Sequence, residues 1–359
     1  MIDPEVSRAR TLPAALFRDP AAFREQIERV LARSWHLVAS HDGALPARTA
    51  TPLVLLPGTL DEPLLHVRED EGEGLLLSNV CTHRGNLLCP APCPVGAGKA
   101  GSLRCGYHGR RFDLRGRATH MPAFAGVPFP EERDHLPRVP CGRFGGMTFA
   151  SVTPAVSFED WIGPLRAWLS FVPWSALVPE TPRDYEVNAH FALYCDNYLE
   201  GFHIPFVHPG LASQLDYGAY RTELFPWGTL QIGVAKGDDH TLDLPADHPA
   251  AGERVAALYA WLFPCTMINV YPWGVSLNVI TPLAHDRTRV TFVSLVRPDA
   301  GGRAGAGGDL HQVELADEAV VEAVARGVRS RFYESGRFSP TEERGVHHAH
   351  RLFGELLGR

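Results

Sequence analysis

Two short segments of the chain each contain one cysteine and one histidine at close spacing. The segment NVCTHRG contains Cys81 and His83, and the segment LRCGYHG contains Cys105 and His108. Two thiolates and two imidazoles suit a tetrahedral zinc ion, or a [2Fe–2S] cluster in which the cysteines hold one iron and the histidines the other. Histidine ligation raises the potential of such a cluster, which suits the delivery of single electrons.

A second group of metal-binding residue types lies in the segment CDNYLEGFHIPFVHPG. His203 follows Glu200 by three residues, which places both on one side of a helical turn, and His208 follows five residues later. A lone histidine on an apolar face is usually a core residue, but two histidines with a carboxylate are less easily dismissed. They supply most of a 2-His-1-carboxylate site, which leaves positions on iron(II) open for O2 and substrate.

A more distant carboxylate comes from a helix predicted over residues 310–333. At about 100° per residue, Asp317 lies inside an apolar stripe and Glu314 on its margin. Glu318 and Glu322 fall on the polar side. The stripe consists of Val313, Val320, Val321, Val324 and Val328. Because a buried, unpartnered carboxylate is costly, we expect Asp317 either to be paired in a buried salt bridge or to bind metal.

Three motifs of the chain resemble one known family. The pattern C-x-H-R-G … C-x-Y-H-G is similar to the Rieske signature, and N-Y-L-E-G-x-H-x-P-x-x-H resembles the iron motif of Rieske oxygenases. The segment DEAVVEAVARG resembles a motif whose leading Asp binds iron. The chain is thus identified as a Rieske non-haem iron oxygenase, a terminal oxygenase alpha subunit. It looks most like the alpha-only subgroup of choline, carnitine and glycine-betaine monooxygenases, with aromatic ring-hydroxylating dioxygenase alpha subunits as the more distant alternative.

The resemblance implies a role for each motif residue. The [2Fe–2S] Rieske cluster would be held by Cys81, His83, Cys105 and His108. Tyr107 would tune its potential through a hydroxyl bond to a sulfur. The ligands of the mononuclear Fe(II) would be His203, His208 and Asp317. Glu200 would instead be the catalytic bridge that receives electrons from the cluster histidine of a neighbouring subunit.

The resemblance also implies partners and a reaction. A ferredoxin or flavin reductase would pass electrons from NAD(P)H to the cluster, and the iron would activate O2 once a substrate is bound. The product would be a hydroxylated or oxidatively N-demethylated small organic molecule, with a quaternary ammonium compound as one candidate substrate. The chain would form a homotrimer. The alternatives of another class are a non-catalytic Rieske electron-transfer protein and a zinc-stabilised ligand-binding protein.

Two further groups of metal-binding residue types have simpler interpretations. Cys89 and Cys93 lie in CPAPC, within a loop insertion between the two cysteine–histidine segments. They are predicted to be loop thiols, with a separate metal site or a regulatory disulfide as the alternative. His347, His348 and His350 lie near the C-terminus, where a structural or interface role is predicted ahead of metal binding.

Two groups of residues are candidates around the mononuclear iron. Asp196 and Asn197 precede the bridging carboxylate and are predicted to orient it or the iron ligands. Phe263, Tyr271 and Trp273 lie in or near predicted strands. They are candidates for a substrate pocket or a cage for a cationic ligand, although core packing is the commoner explanation for such residues.

Composition narrows the class of protein. A chain of 359 residues favours two domains, and seven cysteines, an odd number, favour metal binding over a disulfide framework. A net charge of −7 without a block of Lys or Arg argues against nucleic-acid or membrane-surface partners. Neither a signal peptide nor a transmembrane helix is predicted, so a cytoplasmic location is expected.

The expected fold is α+β. Short apolar runs between Gly- and Pro-rich turns predict a small all-β domain over residues 36–155. The resemblance makes this an antiparallel Rieske β-domain, joined to a helix-grip catalytic domain (Bet v 1-like or START-like) over residues 156–359. Residues 1–35, with an amphipathic helix capped by Asp19, would pack on the catalytic domain. The remaining predicted elements are a strand at 185–195, a short helix at 196–204, strands at 229–235, 267–281 and 288–297, and a closing helix at 341–357.

Overall fold

The computed structural model describes residues 2–40, 46–69, 74–95, 101–237 and 240–359. The chain divides into two compact units. One is Trp35–Pro154, and the other is Ala155–Arg359 together with the residues up to Ser34. These limits lie one residue from the predicted ones. Across the described residues, we find no helix with both the length and the apolar character that a membrane span requires.

The unit of residues 35–154 is built from short antiparallel strands. They are β1 (His36–Ala39), β2 (Thr49–Leu55), β3 (Glu62–Arg68), β4 (Leu75–Ser78), β5 (Cys93–Pro94), β6 (Leu103–Arg104), β7 (Arg111–Phe112), β8 (Ala118–His120), β9 (Cys141–Phe144) and β10 (Met147–Ala150). Within the described part of this unit, the strands form three small sheets, with the orders β1-β10-β9, β4-β3-β2-β5 and β6-β7-β8. Leu65, Leu77 and Phe112 lie in a core that also contains Cys81 and Cys105.

The second unit holds one eight-stranded antiparallel sheet, in the order β11-β18-β17-β16-β15-β14-β13, with β12 also paired to β18. Its strands are β11 (Val178–Pro179), β12 (Arg183–Val187), β13 (Arg221–Phe225), β14 (Gly228–Val234), β15 (Val255–Leu262), β16 (Thr266–Tyr271), β17 (Gly274–Ala284) and β18 (Arg287–Val296). Its helices are α1 (Ala15–Arg18), α2 (Pro20–Arg29), α3 (Phe158–Leu169), α4 (Phe191–Tyr198), α5 (Ile204–Val207), α6 (Pro209–Gln214), α7 (Leu310–Gly327) and α8 (Arg344–Leu357).

The prediction of a strand at 185–195 is wrong over its second half. The strand β12 stops at Val187, and α4 begins after His190, whose Nδ1 accepts a hydrogen bond from the Ala192 N–H at 3.2 Å. Every residue of 191–195 is buried, so the first part of α4 is enclosed on all sides and its sequence carries no helical period. The predicted helix at 196–204 is only partly right, because residues 196–198 form the end of α4 and Pro205 lies at the start of the short helix α5 instead of ending a helix.

Smaller differences concern the limits of elements and two missing strands. The run at 267–281 forms two strands with a turn at Pro272–Trp273, and the predicted 310–333 helix ends at Gly327. The strands β13 and β15 were not predicted at all. Residues 20–35 form α2 and then a 3₁₀ turn over Leu31–Arg33, while Asp19 caps α2 as expected by accepting from the Ala21 N–H.

The helix α7 presents a face rotated from the predicted one. Val321 is 1% exposed and Ala325 5%, whereas Val324, expected in the apolar stripe, is 44% exposed. Glu314, expected on the margin, is 3% exposed and faces inward with Asp317. The five valines of the predicted stripe gave the wrong direction for the buried face of α7, because that face includes the acid Glu314 and Ala325.

Candidate metal sites and the adjoining cavity

The two cysteine–histidine loops share one backbone design. In each, the cysteine carbonyl accepts a hydrogen bond from the glycine N–H four residues later, Gly85 or Gly109. Both glycines have positive φ, +69° and +74°. Since a side chain is strained in that conformation, the glycine at the end of each C-x-x-x-G pattern has a structural cause. The two loops therefore form equivalent tight turns that present their side chains on one side.

The four predicted ligands of the [2Fe–2S] cluster sort into a thiol pair and an imidazole pair. Cys81 and Cys105 are buried, at 1% and 2% exposure. The rings of His83 and His108 lie with their centroids 4.8 Å apart. His83 Nδ1 is buried without a hydrogen-bond partner, so it is free to act as a ligand. This donor set fits a cluster with two cysteines on one iron and two histidines on the other.

Hydrogen-bond donors surround the second thiol. Burial alone would raise the pKa of Cys105, but the backbone N–H groups of Tyr107 and His108 and the Asn86 amide lower it. Burial raises the pKa of Cys81. Tyr107 itself is 64% exposed, and its ring lies 3.7 Å from that of His108, centroid to centroid. The predicted bond from its hydroxyl to a sulfur stays a prediction.

The buried side chain of Arg110 connects the two loops. It follows the second loop, and its Nη1 donates to Thr82 Oγ1 of the first loop at 2.8 Å. The same nitrogen lies 3.0 Å from Asp134 Oδ1. Sequence reasoning missed this residue, because its two partners come from separate segments of the chain. The hydrogen bond to Thr82 joins the two loops and thus the two halves of the ligand set, and the ion pair with Asp134 holds Arg110 in place.

The thiols of Cys89 and Cys93 lie together beside the first loop. Their Sγ atoms are 2.7 Å apart, and the Cys89 N–H donates to Asn79 Oδ1 at 3.0 Å. Burial raises the pKa of the Cys89 thiol to about 12. Among the described residues no third metal-ligating side chain joins them. A disulfide between them stays a prediction.

His203, His208 and Asp317 converge as predicted, with one ligand atom from each within 4.8 Å of the others. Asp317 Oδ1 lies 2.9 Å from His208 Nε2 and 3.6 Å from His203 Nε2. His203 precedes α5, His208 follows it, and Asp317 comes from the middle of α7. No other group of this kind occurs in the described part of the chain. The geometry suits a facial triad that leaves one side of an iron ion open.

Glu200 lies behind one of the histidines and not among the three converging atoms. Its Oε1 is 2.8 Å from His203 Nδ1, and its Oε2 accepts from the His203 backbone N–H at 2.9 Å. Burial alone would lower the pKa of His203, but the bond and charge of Glu200, with Asp317, raise it overall. When Nδ1 of His203 carries the proton and donates a hydrogen bond to Glu200, Nε2 is left free to bind a metal. Carboxylates behind histidine ligands usually orient them in this way.

The residues Asp196 and Asn197 point in different directions. Asn197 Nδ2 donates to Asp317 Oδ1 at 2.8 Å, so it orients a triad member. Asp196 instead accepts from His350 Nε2 at 3.0 Å, and His350 Nδ1 accepts from the Leu12 N–H at 2.8 Å. Asp196 was predicted to orient the bridge or the iron ligands, but its carboxylate bonds to His350 and so joins α4 to α8.

The C-terminal histidines each have a structural partner. The Nε2 atom of His347 lies 2.8 Å from the Asp3 carbonyl, and that of His348 lies 2.7 Å from the Phe225 carbonyl. With His350, they connect α8 to the N-terminal segment, to β13 and to α4. This agrees with the structural role predicted ahead of metal binding.

A cavity adjoins the triad, and most of its wall is aromatic and polar. The aromatic lining residues are Tyr194, Tyr198, Tyr220, Tyr259, Tyr271 and Phe292. The polar ones besides the triad are Asn197, Glu200, Gln231, Asn269, Asn278 and Glu314. Of the predicted pocket residues only Tyr271 lies in this wall. Phe263 packs on Trp261 and Phe353, and Trp273 stacks on Tyr271, so core packing, the commoner explanation, describes these two better than the pocket.

Hydrogen bonds hold several of these polar side chains in place. The Tyr198 hydroxyl donates to Asn269 Oδ1 at 2.7 Å, and the Tyr220 hydroxyl donates to Gln231 Oε1 at 3.0 Å. Asn269 Nδ2 in turn donates to Asn278 Oδ1 at 3.1 Å. None of these residues was predicted, since polar residues inside strands give no local signal of a shared cavity.

Glu314 is a further lining residue that sequence reasoning did not assign to the cavity. Its Oε2 accepts from the Tyr194 hydroxyl at 2.7 Å, while its Oε1 is buried without a partner. Burial raises the pKa of Glu314 to about 8, and the hydrogen bond from Tyr194 opposes this only in part. Helical periodicity could have found it, had Ala325 been counted with Val321 and Val328 as the buried face.

Comparison with known families accounts for both sites. The model of the ring hydroxylating alpha subunit (catalytic domain) matches residues 175–358, more than half of the chain, and the Rieske [2Fe-2S] domain matches residues 40–131. The chain therefore belongs to the ring hydroxylating alpha subunit family. It is a Rieske oxygenase, an oxidoreductase with a Rieske [2Fe–2S] domain and a non-haem iron catalytic domain that uses O2. The predicted family, enzyme class and cofactors are confirmed.

Individual relatives align over nearly the whole chain. The choline monooxygenase of Arabidopsis thaliana chloroplasts is 28% identical over 99% of this chain and 85% of its own length. The carnitine monooxygenase oxygenase subunit of Escherichia coli K12 is 27% identical over 97% of this chain and 94% of its own. The structure of the quaternary ammonium Rieske monooxygenase CntA with L-carnitine superposes with a TM-score of 0.74, at 22% identity, over 99% of this chain and 96% of that one. This likeness confirms the predicted fold class.

Proposed function

We propose that this chain is a terminal oxygenase that hydroxylates or oxidatively N-demethylates a quaternary ammonium compound. The wall of the triad cavity carries the proposal, since it combines six aromatic rings with carboxyl groups and has no Lys or Arg among its described residues. Aromatic faces attract quaternary ammonium groups through cation–π interactions. The relatives named for choline and carnitine support the same class of substrate.

Each metal centre is assigned to a ligand set. The Rieske cluster is held by Cys81, Cys105, His83 and His108. The catalytic iron is held by His203, His208 and Asp317, and when bound it supplies the activation of O2. Support comes from the unpartnered Nδ1 of His83 and from the convergence of the three ligand atoms in the second unit. Asn197 orients Asp317 through its amide.

Glu200 forms the bridge by which electrons arrive at the iron site. It holds His203 through Nδ1, on the other side of the ring from the nitrogen that faces Asp317. In a head-to-tail homotrimer, the exposed imidazole of His108 in one chain reaches Glu200 of the next. Inter-subunit electron transfer is described for a structurally similar quaternary ammonium Rieske monooxygenase, which supports this arrangement.

A separate electron-transfer partner completes the system. Rieske oxygenases need such a partner, and we propose a ferredoxin or flavin reductase that uses NAD(P)H. A cytoplasmic location is proposed with it, because clustered cysteines assigned to a metal cluster, with no disulfide framework, suit a reducing compartment.

The test is product formation by enzyme loaded with both metal centres and supplied with NADH and a reductase. Choline, carnitine and glycine betaine would be compared with naphthalene by O2 uptake and by mass spectrometry of the products. We expect O2 uptake and a hydroxylated product, or formaldehyde, from at least one of the ammonium compounds and none from naphthalene. Turnover of naphthalene without turnover of any ammonium compound would assign the chain to the aromatic dioxygenases. Reduction of the cluster without formation of any product would indicate a non-catalytic electron-transfer protein.

A further inference from the structure

Two buried polar atoms in the cavity wall have no hydrogen-bond partner. Among the described lining residues, these are Glu314 Oε1 and Tyr259 Oη. Leaving such an atom unpaired costs about 1–3 kcal/mol, so its persistence in a folded protein needs a reason. Both atoms belong to the cavity that holds the proposed iron ligands. A substrate bound there would compensate both atoms, one through charge and the other through a hydrogen bond.

The carboxyl groups of the cavity differ in what they already contact. Glu200 bonds to His203, and Asp317 bonds to His208 and to the Asn197 amide. The single bond of Glu314 is to the Tyr194 hydroxyl, a neutral group. Since burial favours the protonated acid and no Lys or Arg lies among the described lining residues, the carboxylate form of Glu314 requires a bound cation as its countercharge.

The position of Glu314 relates it to the reaction site. It precedes Asp317 by three residues on α7, so the two side chains lie on one face with Cβ atoms about 5–6 Å apart. A cationic nitrogen held at Glu314 keeps its N-methyl carbons close to the proposed iron ligands. Hydroxylation of an N-methyl group needs this, because the reacting carbon is one bond from the nitrogen.

The second atom approaches the cavity from the sheet. Tyr259 lies in β15, and its ring makes an edge contact with Tyr271 at a centroid distance of 5.9 Å. Its hydroxyl is fully buried, and burial raises its pKa well above the usual range, so it is a neutral donor. A neutral donor suits an oxygen substituent on the substrate, as opposed to the cationic nitrogen.

We propose that Glu314 is the anionic contact for the quaternary nitrogen of the substrate, and that Tyr259 donates a hydrogen bond to an oxygen of the same molecule. This inference rests on the proposed function and states how the cavity selects its substrate. Both residues set specificity, and neither is a metal ligand. Together they require a cation with an oxygen substituent a short distance from the nitrogen.

Three probes of similar size separate the two contacts. Choline has both the quaternary nitrogen and a hydroxyl, ethyltrimethylammonium lacks the hydroxyl, and 3,3-dimethyl-1-butanol has carbon in place of nitrogen. Binding to the oxidised, metal-loaded enzyme would be measured by calorimetry without O2, so that no turnover is needed. Glu314→Gln should weaken choline about tenfold or more and leave the neutral alcohol nearly unchanged. Tyr259→Phe should weaken choline about 2- to 10-fold and leave ethyltrimethylammonium unchanged.

Matched variants keep the test selective. Glu318→Gln alters another carboxyl group on α7, which also has an unpartnered oxygen but does not line the cavity, so it should change none of the affinities. Glu314→Asp keeps the charge and should retain part of the preference for choline over the alcohol. Iron content and thermal unfolding would be measured for each variant, so that a misfolded protein is recognised.

Two results would overturn the role of Glu314. One is unchanged affinity for choline in Glu314→Gln. The other is an equal loss of affinity for choline and for the neutral alcohol, which would indicate that Glu314 only makes a structural bond to Tyr194. Equal losses of affinity for choline and ethyltrimethylammonium in Tyr259→Phe would contradict the proposed role of Tyr259. A wild-type enzyme that binds neither cation contradicts the proposed function itself, which distinguishes that failure from these.

Discussion

The two candidate metal sites of this chain are built in different ways. At the cluster site, the ligands come in two local pairs, each on a tight turn closed by a glycine with positive φ. At the iron site, two histidines that flank a four-residue helix meet an aspartate 109 residues beyond the second of them. The first site is encoded by local sequence, whereas the second exists only after α7 has packed beside α4.

The two sites also differ in what they expose. His108 at the cluster site is exposed, while the side chains of His208 and Asp317 are only 4% and 15% exposed. A group that hands electrons to another chain needs an accessible edge. A site that activates O2 beside a substrate benefits from a closed wall that limits water. The predictions below alter one site at a time and ask whether the other one responds.

The largest effect should come from Asp317→Ala. We expect loss of the mononuclear iron, with about three irons per chain falling to about two, and less than about one-hundredth of the oxygenation rate. The visible and EPR spectra of the cluster should survive, because no cluster ligand is touched. Metal analysis together with these spectra checks this. Glu318→Ala is the control, and if it removed the iron while Asp317→Ala did not, the ligand would be the neighbouring residue on α7.

Glu200→Gln should break the connection between the two sites without emptying either. The amide keeps the size of the side chain but loses the charge that holds His203 Nδ1 at 2.8 Å. We expect both metals to remain, the cluster to stay reducible, and oxygenation to fall about a hundredfold. Loss of iron from this variant would instead make Glu200 a ligand.

Mixed trimers sharpen the same prediction. Cys81→Ala chains lack a cluster but keep Glu200, and Glu200→Gln chains keep the cluster. If electrons cross between chains, mixing these inactive variants should restore part of the activity, because some interfaces then pair an intact cluster with an intact bridge. No recovery in verified mixed trimers would place the electron path within one chain.

A smaller effect is expected from Asn197→Ala. Its amide donates to Asp317 Oδ1 at 2.8 Å, and loss of such an outer partner typically lowers metal affinity or activity about 10- to 100-fold. Iron affinity measured by competition with a chelator checks this. The adjacent Asp196→Asn is the control. It should lower the melting temperature through its bond to His350 and leave iron affinity unchanged. Equal iron affinities in Asn197→Ala and wild type would show that Asp317 is oriented without the amide.

Local sequence predicted the cluster site better than the cavity, for a physical reason. The turn glycines and paired ligands of the loops depend on neighbours within five residues, so the motif contains most of the structure. Both histidines of the triad were found in the same way. Asp317 was proposed as their partner even though the buried face of α7 was misplaced, because the resemblance to a known motif identified the residue independently of the helical period, and its carboxylate converges with the two histidines.

The cavity wall could not be predicted, since its residues meet only through tertiary packing. Tyr259, Asn269 and Asn278 come from three adjacent strands, and their inward direction depends on strand limits that were wrong or missing. Phe263 and Trp273 were chosen for aromatic character alone and lie outside the wall. Glu314 escaped because a buried acid interrupts the apolar period that defines the face it belongs to.

The smallest expected effect concerns the exposed edge of the cluster site. If the Tyr107 hydroxyl bonds to a sulfur of the bound cluster, Tyr107→Phe removes one neutral hydrogen bond, which contributes about 1 kcal/mol. For a one-electron couple this lowers the reduction potential by about 40 mV, because the bond favours the more negative, reduced cluster. The ring would still lie against His108, so the ligand set and the iron content should not change. Protein-film voltammetry would measure the shift, with Phe124→Leu, beside His83 but without a hydroxyl, as the control for altered packing. An unchanged potential in Tyr107→Phe would mean that this 64% exposed side chain has only a contact role, and that the potential is set by the backbone donors to Cys105.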